Sequence, residues 1–530
     1  MKSFKFQAFL LALVLSVSGL AGCKKSDDKA SQGENFGDGS FPLKTDVTLT
    51  YWDYMFSFGS AKVSDRSQTP YGKAMEEATG VKIKYIHPAA GQAEEQFNLL
   101  LATNDLPDII EQEWFNFSGG PEKAMKDGYI IPLNEQILKF APNLKKYLDE
   151  NPVIDKMVKT DSGQYYVFPF MRDDASLMVY QGPILRQDWL DELSLSVPET
   201  IEEWETTLTA FKDVKGAKAP LSFYPWMLAV GGSFSGAFGV INNFYVDDGR
   251  IKHGLLEPEY KEFLKLFKDW YANGLLDNDI ATIDPEILDA NMLSGRTGAT
   301  IGNLGGAMGK WLGLMTKENP SYNLSGAPYP VVEKGTKAKF GQRDLEYTPV
   351  GSAAISAKSK HIELAARYLD FGYTEKGRLI NNFGIEGESY NMVDGYPKYT
   401  DLITNNPTGL SMSQAMEGYT RTGGAPTIQD VRYMEQFMET PQQKAALEIW
   451  SDTSVAAHLL PRISPTPDES SEMARIMNLV RTYSDEMFYK FIMGSEPMEN
   501  YDKFIEQIKG FGLERALEIQ QNALERYKIR

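Results

Sequence analysis

The sequence predicts a helix-rich α/β protein built as two lobes, with a ligand cleft between them. After residue 44 the chain alternates strand and helix with short connections, later segments repeat that grammar, and the C-terminal region is helical. Short strand–helix–strand connections imply a parallel, helix-covered sheet wound by right-handed crossovers. At 530 residues the chain is long enough for two or three ordinary domains.

Val47-Thr48-Leu49-Thr50-Tyr51-Trp52 alternates apolar and polar residues and reads as the first strand. Pro70 to Thr79 reads as a helix stopped by Gly80. Val81 to Ile86 alternates again, and Gln92 to Thr103 is helical with Phe97, Leu100 and Leu101 on one side. Pro107 to Ile110 makes a third short strand. Thr200 with Glu203 forms a capping-box pattern ahead of Trp204, Leu208 and Phe211. Tyr260 to Ala272 places Leu264, Phe267 and Tyr271 on one face and ends at Asn273-Gly274. His361 to Phe371 is a helix with Ile362, Ala365, Ala366 and Leu369 inward. Two further helices, Tyr501 to Lys509 and Leu513 to Tyr527, flank a break at Gly510-Phe511-Gly512. There is no internal repeat of solenoid length.

The N-terminus reads as an export segment: Lys2 and Lys5, then the apolar run Phe9 to Val17, too short to span a bilayer. Leu20-Ala21-Gly22-Cys23 closes it with the chain's single cysteine. That stretch resembles a bacterial lipobox, which implies cleavage before Cys23 and lipidation of its thiol. An unmodified cysteine in an ordinary signal peptide is the alternative. The Ser-, Gly-, Asp- and Lys-rich residues that follow read as a flexible tether. A formal net charge of −18 argues against nucleic-acid binding, which requires a basic face.

Catalytic signatures are mostly missing. The four histidines, His87, His253, His361 and His458, form no HExxH pair. Gly231 to Gly236 puts Phe234 where a nucleophile elbow needs serine, and Gly302 to Gly309 lacks both dinucleotide spacing and a Walker lysine. Asp173-Asp174 and Asp247-Asp248 are adjacent carboxylates, as a chain with 72 acidic residues produces without design. Asp277, Asp279 and Asp284 fail as an EF-hand loop because Ala281 takes a ligand position. We therefore expect no enzyme activity, no cofactor and no metal.

Several segments together resemble the extracellular solute-binding proteins of carbohydrate ABC transporters, in the LplA-like lipoprotein branch of family 1. They are ATNDLPDII (102–110), DGYIIPLNEQI (127–137), GQYYVFP (163–169), ILRQDWLDELSLSVPETIEEW (184–204), MLSGRTGATIG (292–302), AAISAKSKHIELAARYLDFGYTEKG (353–377) and FGIEGESY (383–390). The fourth is the most specific, and the order and spacing of all of them carry the resemblance. It implies a periplasmic-binding-protein-like fold of the larger type II form, whose lobes close on a solute by hinge motion. It implies a sugar or oligosaccharide ligand, handed to the permease subunits of an importer by a monomer anchored by lipid to the outer face of the cytoplasmic membrane, or periplasmic in a Gram-negative host. Alginate-binding members carry a calcium loop where this chain reads Phe211 to Pro220. With one acid and three lysines, that stretch predicts no calcium.

The expected organisation is a signal segment 1–23, a tether 24–44, first lobe 45–170, second lobe 171–302, first lobe again 303–378, and second lobe with C-terminal helices 379–530. Ligand candidates lie at strand ends and crossovers. Trp52, Asp53 and Tyr54 end the first strand, where Trp52 fits core or cleft equally. Glu111 and Trp114 follow the third strand in a polar–aromatic mix. Arg172 and Asp174 follow the first crossover, where a salt-bridged hinge is the equal alternative. Trp226 sits in a Pro-Trp loop that fits core as well. Asn303 follows the return crossover, Tyr347 lies between strand-like segments, and Glu386 and Tyr390 lie in a glycine-containing loop. The leading functional expectation is a lipid-anchored solute-binding protein. Its rivals are a secreted glycoside-active enzyme, a binding protein for peptides or other solutes, and a sensor or adhesin without a permease.

Overall fold

The computed structural model describes residues 36–55, 63–89, 91–229 and 231–530. Cys23, the lipobox-like stretch and the first part of the expected tether lie outside the described residues. The rest of that tether does not hang free. Leu43 is buried, its amide donates to the Thr79 carbonyl at 2.8 Å, and the Phe41 ring meets Phe371 edge-on at 4.9 Å. The packed body thus begins near Phe36 rather than at 45, because two apolar side chains in a polar stretch find a core to enter.

The alternating stretch after residue 44 forms the middle of a six-stranded sheet. β1 (Thr48–Trp52) pairs in parallel with β2 (Lys82–Ile86) and β3 (Ile109–Glu111). Helices Pro70–Thr79 and Ala93–Thr103 make the crossovers. Thr69 caps the first helix through the Gly72 amide, and Gly80 ends it at φ 73°, a left-handed value that glycine adopts without steric cost. β4 (Phe168–Arg172) belongs to the same sheet. The chain then crosses over and builds β5 (Gln181–Arg186), the hairpin β6 (Phe244–Asp247) and β7 (Arg250–His253), β8 (Ala299–Asn303) and β9 (Leu324–Gly326). β5 is the centre of a three-stranded antiparallel sheet in the order β8-β5-β9. Gly182 lets this strand lie against Trp450; a Cβ there would meet the indole at 2.4 Å.

β10 (Tyr347–Ile355) returns to the first sheet and inserts antiparallel between β3 and β4. A second hairpin, β11 (Tyr390–Val393) with β12 (Tyr396–Tyr399), stands apart, and β13 (Ile428–Gln429) completes the first sheet beside β4. The six-stranded order is β13-β4-β10-β3-β1-β2. Each sheet has its own core: Leu49, Ile109, Ile110 and Phe168 in one, Trp204, Phe267, Trp270, Trp311 and Trp450 in the other. These cores define two lobes.

The expected lobe boundaries need correction at two places. The return to the first lobe comes at β10 and not at 303, because β9 still pairs with β5. The span 379–530 is also not one lobe, since β13 pairs with β4. Strand partners are chosen across hundreds of residues, and no local pattern reports them.

Local expectations fare better. Thr200 and Glu203 close their capping box at 3.2 Å in both directions, starting helix Ile201–Asp213. Helix Glu259–Ala272 buries Leu264 and Phe267, while Tyr271 is only half-buried. The long helix Pro467–Ile492 precedes the two C-terminal ones, Tyr501–Gly510 and Leu513–Ile529. The last helix spans both lobes. Gln521 accepts from the Ile251 amide on the second at 2.8 Å, and Arg526 donates to Asp161 on the first at 2.7 Å.

Candidate functional site

Parallel strands point their carboxyl ends at the same edge of a sheet, and that edge is where α/β proteins bind ligands. Here the ends of β1 and β3 carry Asp53 and Glu111, both buried. Arg421 donates to both, at 3.2 Å to Asp53 and 2.6 Å to Glu111. Arg66 pairs with Asp53 from the other side, and the Tyr51 hydroxyl donates to Glu111 at 2.8 Å. His87 accepts the Arg66 amide on Nε2 and donates Nδ1–H to the Asp53 carbonyl at 2.9 Å. Burial opposes ionisation of Asp53, but Arg421 and Arg66 outweigh it and hold its carboxyl below the ordinary value. Burial dominates at Glu111 and raises its carboxyl despite Arg421. This network is closed and satisfied internally. It ties Arg421 to the sheet edge.

The open site lies beside it. A cavity of about 1080 Å³ is walled by Phe115 and Phe117 after β3, and by Trp226, Asn242 and Asn243 of the second lobe. The segment Gln342 to Leu345, which leads into β10, and the segment Leu460 to Pro465 complete it, with one face of helix Pro467–Ile492 as its floor. The volume is at the top of the range for sites that enclose small-molecule ligands. Trp226 is 52% exposed and rests edge-on against Tyr224 at 5.8 Å. An exposed indole held from behind is a platform on which an apolar ligand face can stack. Phe115, half-buried on the opposite lobe, has the Arg462 guanidinium over its ring at 5.8 Å. Asparagine amides beside these rings supply donors and acceptors. The arrangement can hold an extended polar molecule by stacking and hydrogen bonding.

Of the residues expected from sequence, Trp226 lines this cavity. Arg172 is one contact away: it pairs with Asp344, which does line it, and donates to Gln429 at 3.2 Å. Asp174 caps a short turn by accepting from Ser176. Asn303 ends β8 half-buried, with its Oδ1 unpaired. Tyr54 is half-buried after β1, and Glu386 is exposed in the loop before β11. Asp53 and Glu111 are spent on the ion network.

Four of the aromatic candidates are buried in the cores, which for Trp52 is the equal alternative expected from sequence. Trp52 packs on Phe97, and Trp114 is fully buried with its Nε1–H on the Ile110 carbonyl at 3.2 Å. Tyr347 is buried against the Tyr166 hydroxyl at 2.9 Å, and Tyr390 packs in the second core against Phe383. An aromatic ring suits core and cleft alike, so residue type could not separate them. Phe115, Arg343, Arg462 and Asn243 were not foreseen. They sit in irregular segments with no periodicity, and only the two-lobed packing brings them together.

In the Phe211–Pro220 stretch, Lys212 donates to the Asn273 carbonyl at 2.6 Å and Lys215 pairs with Glu192. Among the described residues, no group of three or more His, Cys, Asp or Glu is placed to share a cation.

Comparison with known proteins agrees with the two-lobed fold. The family described as bacterial extracellular solute-binding protein matches residues 61–379. The chain is 24% identical over 561 residues to the fructooligosaccharide ABC transporter substrate-binding protein FusA of Streptococcus pneumoniae, covering 99% of both. It is 25% identical over 367 residues to Lipoprotein LipO of Bacillus subtilis, covering 66% of this chain and 68% of that one. The crystal structure of alginate-binding protein AlgQ2 without calcium ion matches at a TM-score of 0.75 and 26% identity, covering 90% of this chain and 98% of that one.

Proposed function

The chain belongs to the bacterial extracellular solute-binding protein family, and from that premise we propose that it captures a sugar or oligosaccharide between its lobes for an ABC importer. The observation that carries the reading is the two-sided cavity, with Trp226 on one lobe and Phe115 on the other. The resemblance to FusA, whose name states a fructooligosaccharide substrate and an ABC transporter, supports it. Closure of the lobes would bring both rings onto the ligand, and the closed form would be what the permease reads. A glycan panel tests this by thermal shift. The mature chain is expected to gain several degrees with at least one oligosaccharide at saturating concentration. A shift with peptides and none with any glycan, or turnover of a bound glycan, would sink it.

Anchoring is the second part of the proposal. Lipidation at Cys23 would hold the protein on the outer face of the cytoplasmic membrane as a monomer, with the following polar residues as a lead. LipO is a lipoprotein by name, and among the described residues no helix is long and apolar enough to cross a membrane. Cys23→Ala is expected to move the protein from the membrane fraction to the soluble fraction, read by fractionation and blotting. Retention of the variant at the membrane would refute the lipid anchor.

A further inference from the structure

The protein carries a net charge of −18, yet the wall of its cavity has the opposite balance. The charged residues lining it are Arg343, Arg462 and Arg481 against Asp344 and Asp485. Asp344 is already neutralised by Arg172, outside the lining. Burial raises the Asp485 carboxyl above its ordinary value, with Arg481 opposing. That leaves Arg343 and Arg462, both half-buried, and among the described residues neither has a carboxylate within ion-pair distance. Arg343 rests on the Met178 sulfur at 3.7 Å, and Arg462 spends one N–H on the Tyr347 carbonyl at 3.3 Å. A guanidinium has five donors, so both keep donors for a ligand.

Holding partly desolvated arginines without an acid partner is costly, and elsewhere the chain pairs such groups: Arg186 with Asp188, Arg421 with Glu111. In a protein this acidic, carboxylates to quench the cavity arginines were abundant, yet the two in the wall are Asp344, paired with Arg172, and Asp485, and among the described residues neither forms an ion pair with Arg343 or Arg462. We propose that the cleft takes a carboxylate-bearing oligosaccharide, of the uronate class, whose acid groups are held by Arg343 and Arg462. The proposal rests on the sugar-capture reading and narrows it. The planar carboxylate matches the guanidinium fork in two parallel N–H···O bonds, a geometry an ammonium or an amide cannot offer. Trp226 and Phe115 then take the C–H faces of the same sugar rings. The protein's overall negative charge does not forbid this. Its field is screened beyond about 8–10 Å, whereas the arginines act at contact.

Calorimetry with the mature chain tests the inference. The probes are short oligogalacturonates, the same oligomers with every carboxyl methyl-esterified, the glucuronate and mannuronate–guluronate equivalents, and neutral fructo- and gluco-oligosaccharides. At least one uronate series is expected to bind, with its ester or neutral counterpart at least tenfold weaker. Arg343→Gln and Arg462→Gln are each expected to weaken the acidic probe roughly ten- to hundredfold. They should weaken the esterified one by a smaller factor than the acidic one. The ester comparison uses unaltered protein, so it decides even if a variant misfolds. Neutral oligosaccharides binding as tightly as acidic ones would overturn the inference and leave sugar capture standing, as would acidic binding indifferent to both arginines. Binding of peptides and of no glycan at all would overturn the sugar reading itself.

Discussion

Replacing Arg421 with methionine is expected to destabilise the fold by about 3–5 kcal/mol. Arg421 is buried and bridges two buried carboxylates, Asp53 and Glu111, that end neighbouring strands of the first sheet. Removing it leaves Asp53 with Arg66 but, among the side chains of the described residues, leaves Glu111 with only the Tyr51 hydroxyl. An uncompensated buried carboxylate costs far more than the pair contributes, because its hydration has been given up and nothing replaces it. The loss carries a pH signature. The folded Glu111 carboxyl already lies above its ordinary value, through burial. A carboxyl raised by folding disfavours the folded state as pH climbs through the interval between its unfolded and folded values. Without Arg421 that interval widens. The deficit of the variant is therefore expected to be larger at pH 8 than at pH 5, where Glu111 can more readily fold protonated. Urea unfolding at both pH values reads it. A deficit under about 1 kcal/mol at pH 8, or one that does not change with pH, would mean that the network does not bind the sheet edge together.

Trp226→Ala is expected to do the reverse, leaving stability nearly untouched and weakening ligand binding about thirtyfold. The side chain is half in solvent, touches Tyr224, and closes no core, so its loss should alter stability by about 0.5 kcal/mol or less. Bound ligand would cover the exposed face. Truncating an aromatic anchor at the centre of a contact costs about 2 kcal/mol or more, which is the thirtyfold. Melting curves of the free proteins and calorimetry with an oligosaccharide that binds the parent chain separate the two quantities. Equal affinity for parent and variant would remove Trp226 from the site. A large loss of stability would make it a core residue.

These two side chains mark the line between what sequence could and could not say. Strands, helices and caps were legible where their cause is local. Thr200 and Glu203 are three residues apart and satisfy each other's backbone. Gly80 stops its helix by adopting a φ that other residues resist. Strand partners were not legible, since β10 inserts between β3 and β4 from more than a hundred residues away in sequence. The ion network was invisible for the same reason, with Arg421 and Glu111 separated by 310 positions.

The sequence by itself determined the fold class, the order of the local elements, the lipobox-like stretch ending at Cys23, and the family resemblance. All of these reside in composition, periodicity and short motifs. Only the tertiary structure decided which aromatics are core and which face the cleft, burying Trp114 and exposing Trp226. It also decided that Asp53 and Glu111 are consumed by Arg421 while Arg343 and Arg462 have no acid partner among the described residues. The reason is that a ring or a charge has the same chemistry wherever it stands in the chain. Whether it faces water, a core or a counter-ion is settled by what two lobes bring against it.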